Sequence, residues 1–210
     1  MYNIYRILFK EYGPQKWWPV TTRNRQFEII IGAILTQNTS WKNVEKAIDN
    51  LRAANLVDSV KIMKTSKNAL AKLIRPSGYF NQKAGRLKII SGFLLKNKNI
   101  SKLPTEKLRK KLLEIKGVGP ETADSIILYA FSKPSFVVDL YTKRIFSRLG
   151  ICKENCTYEE LQDLFHDSLP KDAKIFNEYH ALIVEHAKRF CTKKPDCIKC
   201  PLSRLCKKKF

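Results

Sequence analysis

Acidic residues are scarce in this 210-residue chain: 19 Asp and Glu stand against 40 Lys and Arg, a formal net charge of +21. Solubility does not require so large a basic excess, and it leaves a polyanion, nucleic acid first, as the natural partner. A lysine-rich thermophile surface is the alternative meaning of the same charge. Long apolar runs are missing too. No segment reaches about 18 uncharged apolar residues, which excludes a membrane-spanning helix. The opening MYNIYRILFKEYGPQKWWP has no arginine-led apolar stretch closing on small residues, so no secretory leader is expected. The expectation is a soluble, cytoplasmic, nucleoid-associated protein with no membrane partner. Neither an internal repeat nor a low-complexity linker interrupts the chain, and its length suits two compact lobes.

Strand-forming sequence is almost lacking as well. Ser135, Phe136, Val137 and Val138 make the one strand-like stretch, which is too short for a sheet and reads as a connector before a helix. Elsewhere apolar residues recur at helical spacing, as at Leu87, Ile90, Phe93 and Leu94, or at Ile175, Tyr179, Leu182, Ile183 and His186. The fold class is therefore all-α, with roughly ten helices on short loops. Thr157 and Glu160 have capping-box spacing, and Asp139 suits the N-cap of a helix running through Leu149.

What the sequence does hold, late in the chain, is a cysteine cluster. Cys191, Cys197, Cys200 and Cys206 follow one another with gaps of five, two and five residues, inside a segment from Lys188 to Phe210 that has nine Lys or Arg and one acid, Asp196. Clustered thiolates repel unless a cation or a metal cluster holds them. One C-x2-C flanked by two single cysteines suits ligands wrapped round a [4Fe-4S] cluster better than the paired knuckles of zinc, which is the alternative. The loops between would present Lys193, Lys194, Lys199 and Arg204 to phosphates. Cys152 and Cys156 lie outside this cluster and read as ordinary cysteines.

The stretch KGVGPETADSIILYA, from Lys116 to Ala130, carries a second motif. Leu108, Leu112, Leu113 and Ile115 give the preceding helix an apolar face, Gly117 and Gly119 flank Val118 in a tight turn, and Pro120 starts the next helix at its first position. Glycines admit a ligand close to the backbone, and the free N–H groups of such a turn favour an anion. The pattern is a helix-hairpin-helix able to hold a DNA phosphate without reading sequence; a plain αα-hairpin is the bland reading.

FEIIIGAILTQNTSWKNV, RPSGYFNQKAGRL, KGVGPETADSIILYA and FVVDLYTKRI, followed by the clustered cysteines, resemble in their order the endonuclease III superfamily of DNA repair glycosylases, from about Trp17 onward. WWP, LTQNT, RPSGYFNQKA and VVDLY are similar to its 3-methyladenine DNA glycosylase branch. The resemblance implies a six-helix barrel lobe with the helix-hairpin-helix over residues 22–133. It implies a discontinuous terminal lobe over residues 1–21 and 134–210, with the iron–sulfur loop at 191–206, and a cleft that binds double-stranded DNA containing a damaged base. One nucleotide is flipped out of the duplex. A monomer is expected.

The resemblance also assigns roles. Asp139 falls on the catalytic aspartate, whose carboxylate stabilises the oxocarbenium-like sugar and orients water; N-capping alone is the bland reading, and the two can coexist. Lys116, Gly117, Val118 and Gly119 fall on the phosphate-holding hairpin. In bifunctional members a lysine two residues after the second hairpin glycine attacks the sugar and forms a Schiff base. Glu121 stands there in this chain, so hydrolysis without lyase activity is expected. Trp17, Trp18, Pro19 and Trp41 would line the base pocket, where indole faces suit a purine made cationic by alkylation. Gln37 would fill the gap left by the flipped nucleotide, and Lys188 would approach the pocket from the last helix. Cys191, Cys197, Cys200 and Cys206 would hold the [4Fe-4S] cluster, although the superfamily's usual first gap is one residue longer. The implied substrates are 3-methyladenine and 7-methylguanine. The alternatives are a glycosylase for oxidised pyrimidines or mispaired thymine, and a non-catalytic metal-containing DNA-binding protein.

Overall fold

The computed structural model describes residues 1–20 and 22–207. Among the described residues every regular element is helical, in eleven α-helices with short 3-10 and π turns between some of them. No helix is long and apolar enough to cross a membrane. Two compact units share the chain, one comprising Trp18–Phe131 and the other Met1–Trp17 with Ser132–Phe210.

The first unit is built on α2 (Arg25–Leu35), which is buried at every residue from Phe27 to Leu35. A helix that is apolar nearly all round belongs inside a core. α3 (Trp41–Ala53) and α6 (Phe80–Lys96) pack on it, and α4 (Ser59–Lys64) and α5 (Lys67–Leu73) pack on α6. The short helices begin at side-chain caps: Asp58 accepts from the Lys61 N–H at 2.9 Å, and Ser66 from that of Ala69 at 3.2 Å. Lys83 is buried, and its Nζ donates to the Leu35 carbonyl at 2.9 Å and the Ser77 carbonyl at 2.7 Å, satisfying an acceptor at the end of α2. The hairpin helices α7 (Thr105–Leu113) and α8 (Pro120–Ser125) are joined by a bidentate ion pair, Arg109 to the fully buried Asp124 at 2.9 and 3.1 Å. A π turn over Ile126–Ala130 extends α8. Leu108, Leu112 and Ile115 are buried as expected, but Leu113 is 36% exposed. One residue past Leu112, it is rotated by about 100° to the solvent side of the helix.

In the second unit α1 (Tyr2–Tyr12) and α9 (Leu140–Arg148) pack on α11 (Ala173–Arg189), with α10 (Tyr158–Ser168) beside them. Phe136 stacks on Phe165 with centroids 3.7 Å apart, and Phe146, Phe176 and Tyr179 pack edge-on round them. Thr157 and Glu160 form the expected capping box at the start of α10. The stretch from Ser135 to Val138 pairs with no strand. Its backbone is satisfied by α10 side chains: the Phe136 N–H donates to His166 Nε2 at 2.9 Å, the Phe136 carbonyl accepts from Gln162 Nε2 at 2.6 Å, and the Val138 N–H donates to the Tyr158 hydroxyl at 3.3 Å. With Phe136, Val137 and Val138 all buried, this connector delivers Asp139 to a defined place.

Candidate active site

Asp139 caps α9. Its Oδ1 accepts from the Thr142 N–H at 2.7 Å and from the Thr142 hydroxyl at 2.8 Å, while Oδ2 lies 3.7 Å from His180 Nε2. Burial pushes the carboxyl pKa up, but His180 and the two Thr142 bonds outweigh burial and hold it below the usual carboxylate range. The group is thus an anion at neutral pH, with one oxygen fixed by Thr142 and the other facing His180. Such a carboxylate can stabilise a developing cation and orient a water molecule.

The hairpin turn follows the sequence reading. Gly117 has φ +90°, and a Cβ there would lie 2.6 Å from Arg86 Nε; Val118 is buried, with its N–H donating to the Ile115 carbonyl at 3.0 Å. Gly119 is exposed, with nothing within 4 Å of the side chain it lacks, and Lys116 is exposed beside it. Gln37 lies against this turn. Its amide donates to the Gly117 carbonyl at 3.0 Å and the Thr122 hydroxyl at 2.9 Å, and its carbonyl accepts from Arg86.

Trp18 is buried in the first unit, edge-on to Trp41 with centroids 5.0 Å apart at 88°, and 5.0 Å from the Tyr129 ring. Gly32 makes this possible, since a Cβ there would come within 2.7 Å of the Trp18 ring. Trp41 and Pro19 line one pocket of that unit. Trp17 belongs to the other unit and is half-buried, and Lys188 is exposed in the last turn of α11.

All four clustered cysteines line a single, mainly apolar pocket of the second unit, together with His186 and Arg148. Burial pushes the Cys200 thiol up, and proximity to Cys191, Cys197 and Cys206 adds to this. Arg148 donates to Cys191 Sγ at 3.3 Å and to the Thr192 carbonyl at 2.7 Å, while Arg144 donates to the Cys191 carbonyl at 2.8 Å. His186, lowered to about 4 by burial, is neutral; its Nε2 is 3.6 Å from Cys200 Sγ and its Nδ1 is 2.8 Å from the Tyr12 hydroxyl. Among the described residues no three His, Cys, Asp or Glu side chains converge on a single-ion site. Lys193, Lys194, Lys199 and Arg204 are exposed round the pocket. Cys152 and Cys156 are free thiols outside it.

Two neighbours of these residues were not legible beforehand. His180 is distant in sequence from Asp139 and meets it only through the packing of α9 on α11. Glu45 accepts from the Trp41 indole N–H at 2.8 Å, and its i, i+4 spacing on α3 was the available signal.

Residues 31–171 match the HhH-GPD superfamily base excision DNA repair protein family, and the chain belongs to it. It is 52% identical over 212 residues to a Methanocaldococcus jannaschii protein provisionally named a DNA repair glycosylase, covering 98% of this chain and 95% of the relative. The crystal structure of H. pylori 3-methyladenine DNA glycosylase bound to 1,N6-ethenoadenine is similar, with 33% identity and a TM-score of 0.76 over 90% of this chain and 97% of that one. A non-covalent endonuclease III–DNA complex shares the fold, with a TM-score of 0.84 at 22% identity over 99% of this chain and 94% of that one. The chain is a DNA glycosylase of this superfamily.

Proposed function

We propose that the chain is a monofunctional glycosylase that flips alkylated purines out of double-stranded DNA and removes them hydrolytically, 3-methyladenine first and 7-methylguanine second. The observation that carries the reaction is the Asp139 carboxylate, ionised, with Oδ1 held by Thr142 and Oδ2 facing His180. An alkylated purine already bears positive charge, so the bond from C1′ to the base nitrogen breaks with its electron pair neutralising the base. Asp139 stabilises the oxocarbenium-like sugar and takes the proton of the water that adds to C1′. Glu121, exposed in the first turn of α8, cannot form an imine, which supports hydrolysis rather than strand cleavage. The Trp18 and Trp41 indoles, with Pro19, support a cationic planar substrate, and the likeness to a 3-methyladenine DNA glycosylase supports an alkylated purine.

On the same reading the four cysteines hold a [4Fe-4S] cluster. The donor set fits: four thiols round one pocket, with Arg148 donating to one sulfur and His186 beside another. The cluster, when bound, cross-links the loop structurally. The chain's own contribution is to present Lys193, Lys194, Lys199 and Arg204 to the DNA backbone.

The test is base release from duplexes each carrying one lesion: 3-methyladenine, 7-methylguanine, an oxidised pyrimidine or a mispaired thymine. Alkylpurine release that falls by about 100-fold or more in Asp139→Asn is expected. Preferential release of oxidised pyrimidine or thymine overturns the substrate, equal turnover in the variant overturns the mechanism, and a borohydride-trapped enzyme–DNA adduct in good yield overturns the hydrolytic route.

A further inference from the structure

The pocket that Pro19 and Trp41 share carries three carboxylates, Glu28, Glu45 and Asp49, against one guanidinium, Arg52, in a chain whose formal charge is +21. Two of those acids are engaged with the cation: Arg52 lies 2.8 Å from Asp49 and 3.7 Å from Glu28. Glu45 is engaged differently. Its Oε1 accepts the Trp41 indole N–H at 2.8 Å, from one helical turn further along α3. An indole has a negative face and a positive edge, and the N–H is the most positive point of that edge. A carboxylate bonded there pushes electron density toward the ring face. It also adds a negative charge that no basic side chain of this pocket offsets. A cation over the face gains from both effects. A neutral base stacked on the same face is held chiefly by dispersion and contact area, which the carboxylate leaves unchanged.

The ring is also held in place for this. Trp18, itself fixed over Gly32, meets Trp41 edge-on at 88°, and the Glu45 bond ties the nitrogen end of the same indole. We infer that Glu45 is a specificity-determining residue of the proposed reaction: by polarising Trp41 it favours positively charged, N-alkylated purines over neutral purines of the same shape. The inference rests on the alkylated-purine reading above. The competing role for Glu45 is an ordinary i, i+4 brace of α3, which would affect stability and leave selectivity untouched.

The experiment compares two duplexes that differ in the charge of one base. One carries 7-methylguanine on a 2′-fluorinated sugar, which resists cleavage, and the other carries its neutral isostere, 7-methyl-7-deazaguanine. Glu45→Gln keeps an oxygen acceptor for the indole and removes the charge. The ratio of the two dissociation constants should move by about threefold to tenfold against the cationic base, the range of one cation–π contact. Neutral-base affinity and Tm should hold. In Trp41→Phe, which has no N–H, adding Glu45→Gln should move the ratio by clearly less than it does in the unaltered protein, since only the charge itself is then lost. An unchanged ratio in Glu45→Gln overturns the inference, and so does a full second loss in the double variant, which would mean that Glu45 does not act through the indole. Release of 3-methyladenine and of 7-methylguanine from unfluorinated duplexes by the unaltered enzyme is measured alongside. If neither base is released, the alkylated-purine reading fails and Glu45 falls with it; if release is normal and the ratio is flat, only the role of Glu45 fails.

Discussion

The hairpin turn at 114–119 and the cysteine loop at 191–206 both carry the chain round without regular structure, and they do it by different means. In the turn the protein's own atoms complete the geometry. Val118 is buried and bonded back to Ile115, Gln37 binds the Gly117 carbonyl, and Arg109 clamps Asp124 between the flanking helices. In the loop Ile198 is 95% exposed, and the groups brought together are four thiols, of which Cys200 is made harder to ionise by burial and by its three neighbours. A turn closed by its own hydrogen bonds can form before any ligand arrives. The loop is tied at its start by Arg144 and Arg148 and buries Leu202; on the proposed reading, the rest of its cohesion would come from what the sulfurs bind.

The largest expected effect tests the loop side of this contrast. Cys197→Ser should remove visible absorbance from anaerobically purified protein and open the chain to trypsin at Lys193, Lys194 and Lys199. Duplex affinity should fall by about tenfold or more as ordered phosphate contacts are lost. Loop resistance equal to that of the unaltered protein would show that the loop, like the turn, holds itself. On the turn side Gly117→Ala meets two obstacles, φ +90° and the Arg86 side chain 2.6 Å from the new methyl. It should cost about 1–3 kcal/mol, read as a lower Tm, and weaken duplex binding; an unchanged Tm would mean that the turn is not as closely supported as its contacts imply.

The smallest effect is a pH dependence of the unit that contains the turn. Burial, with Arg86 nearby, lowers Lys83 to about 8. An unfolded lysine titrates near about 10.4, so between these values the unfolded chain binds a proton that the folded one has released. Stability therefore rises with pH across that window, and the full cost of burying the charge is felt below it. Lys83→Met should flatten this part of the profile in urea melts while leaving two carbonyls without their donor. A slope identical to that of the unaltered protein would remove Lys83 as its source.

Much of this was legible in advance because it is local. The Thr157–Glu160 capping box, the Asp139 cap, and the Gly117–Pro120 turn each depend on residues within a few positions of one another. Leu113 was misread because a run of apolar residues was counted without its angular position on α7. Ser135–Val138 was correctly taken as a connector, but nothing in it announced that His166, Gln162 and Tyr158 would satisfy its backbone. The amide of Gln37 lies on the hairpin through partners about 80 residues away, a contact that nothing near it in the sequence announced.

From composition, periodicity and spacing alone came the helical class, the basic character, the hairpin and the four-cysteine pattern, since short-range sterics and hydrogen bonding control those features. The pairing of Asp139 with His180, the seating of Trp18 on Gly32, and the closing of four thiols round one pocket arose only on folding. Those contacts join residues far apart in the chain, and it is the packing of whole helices, rather than any local preference, that selects which distant side chains meet.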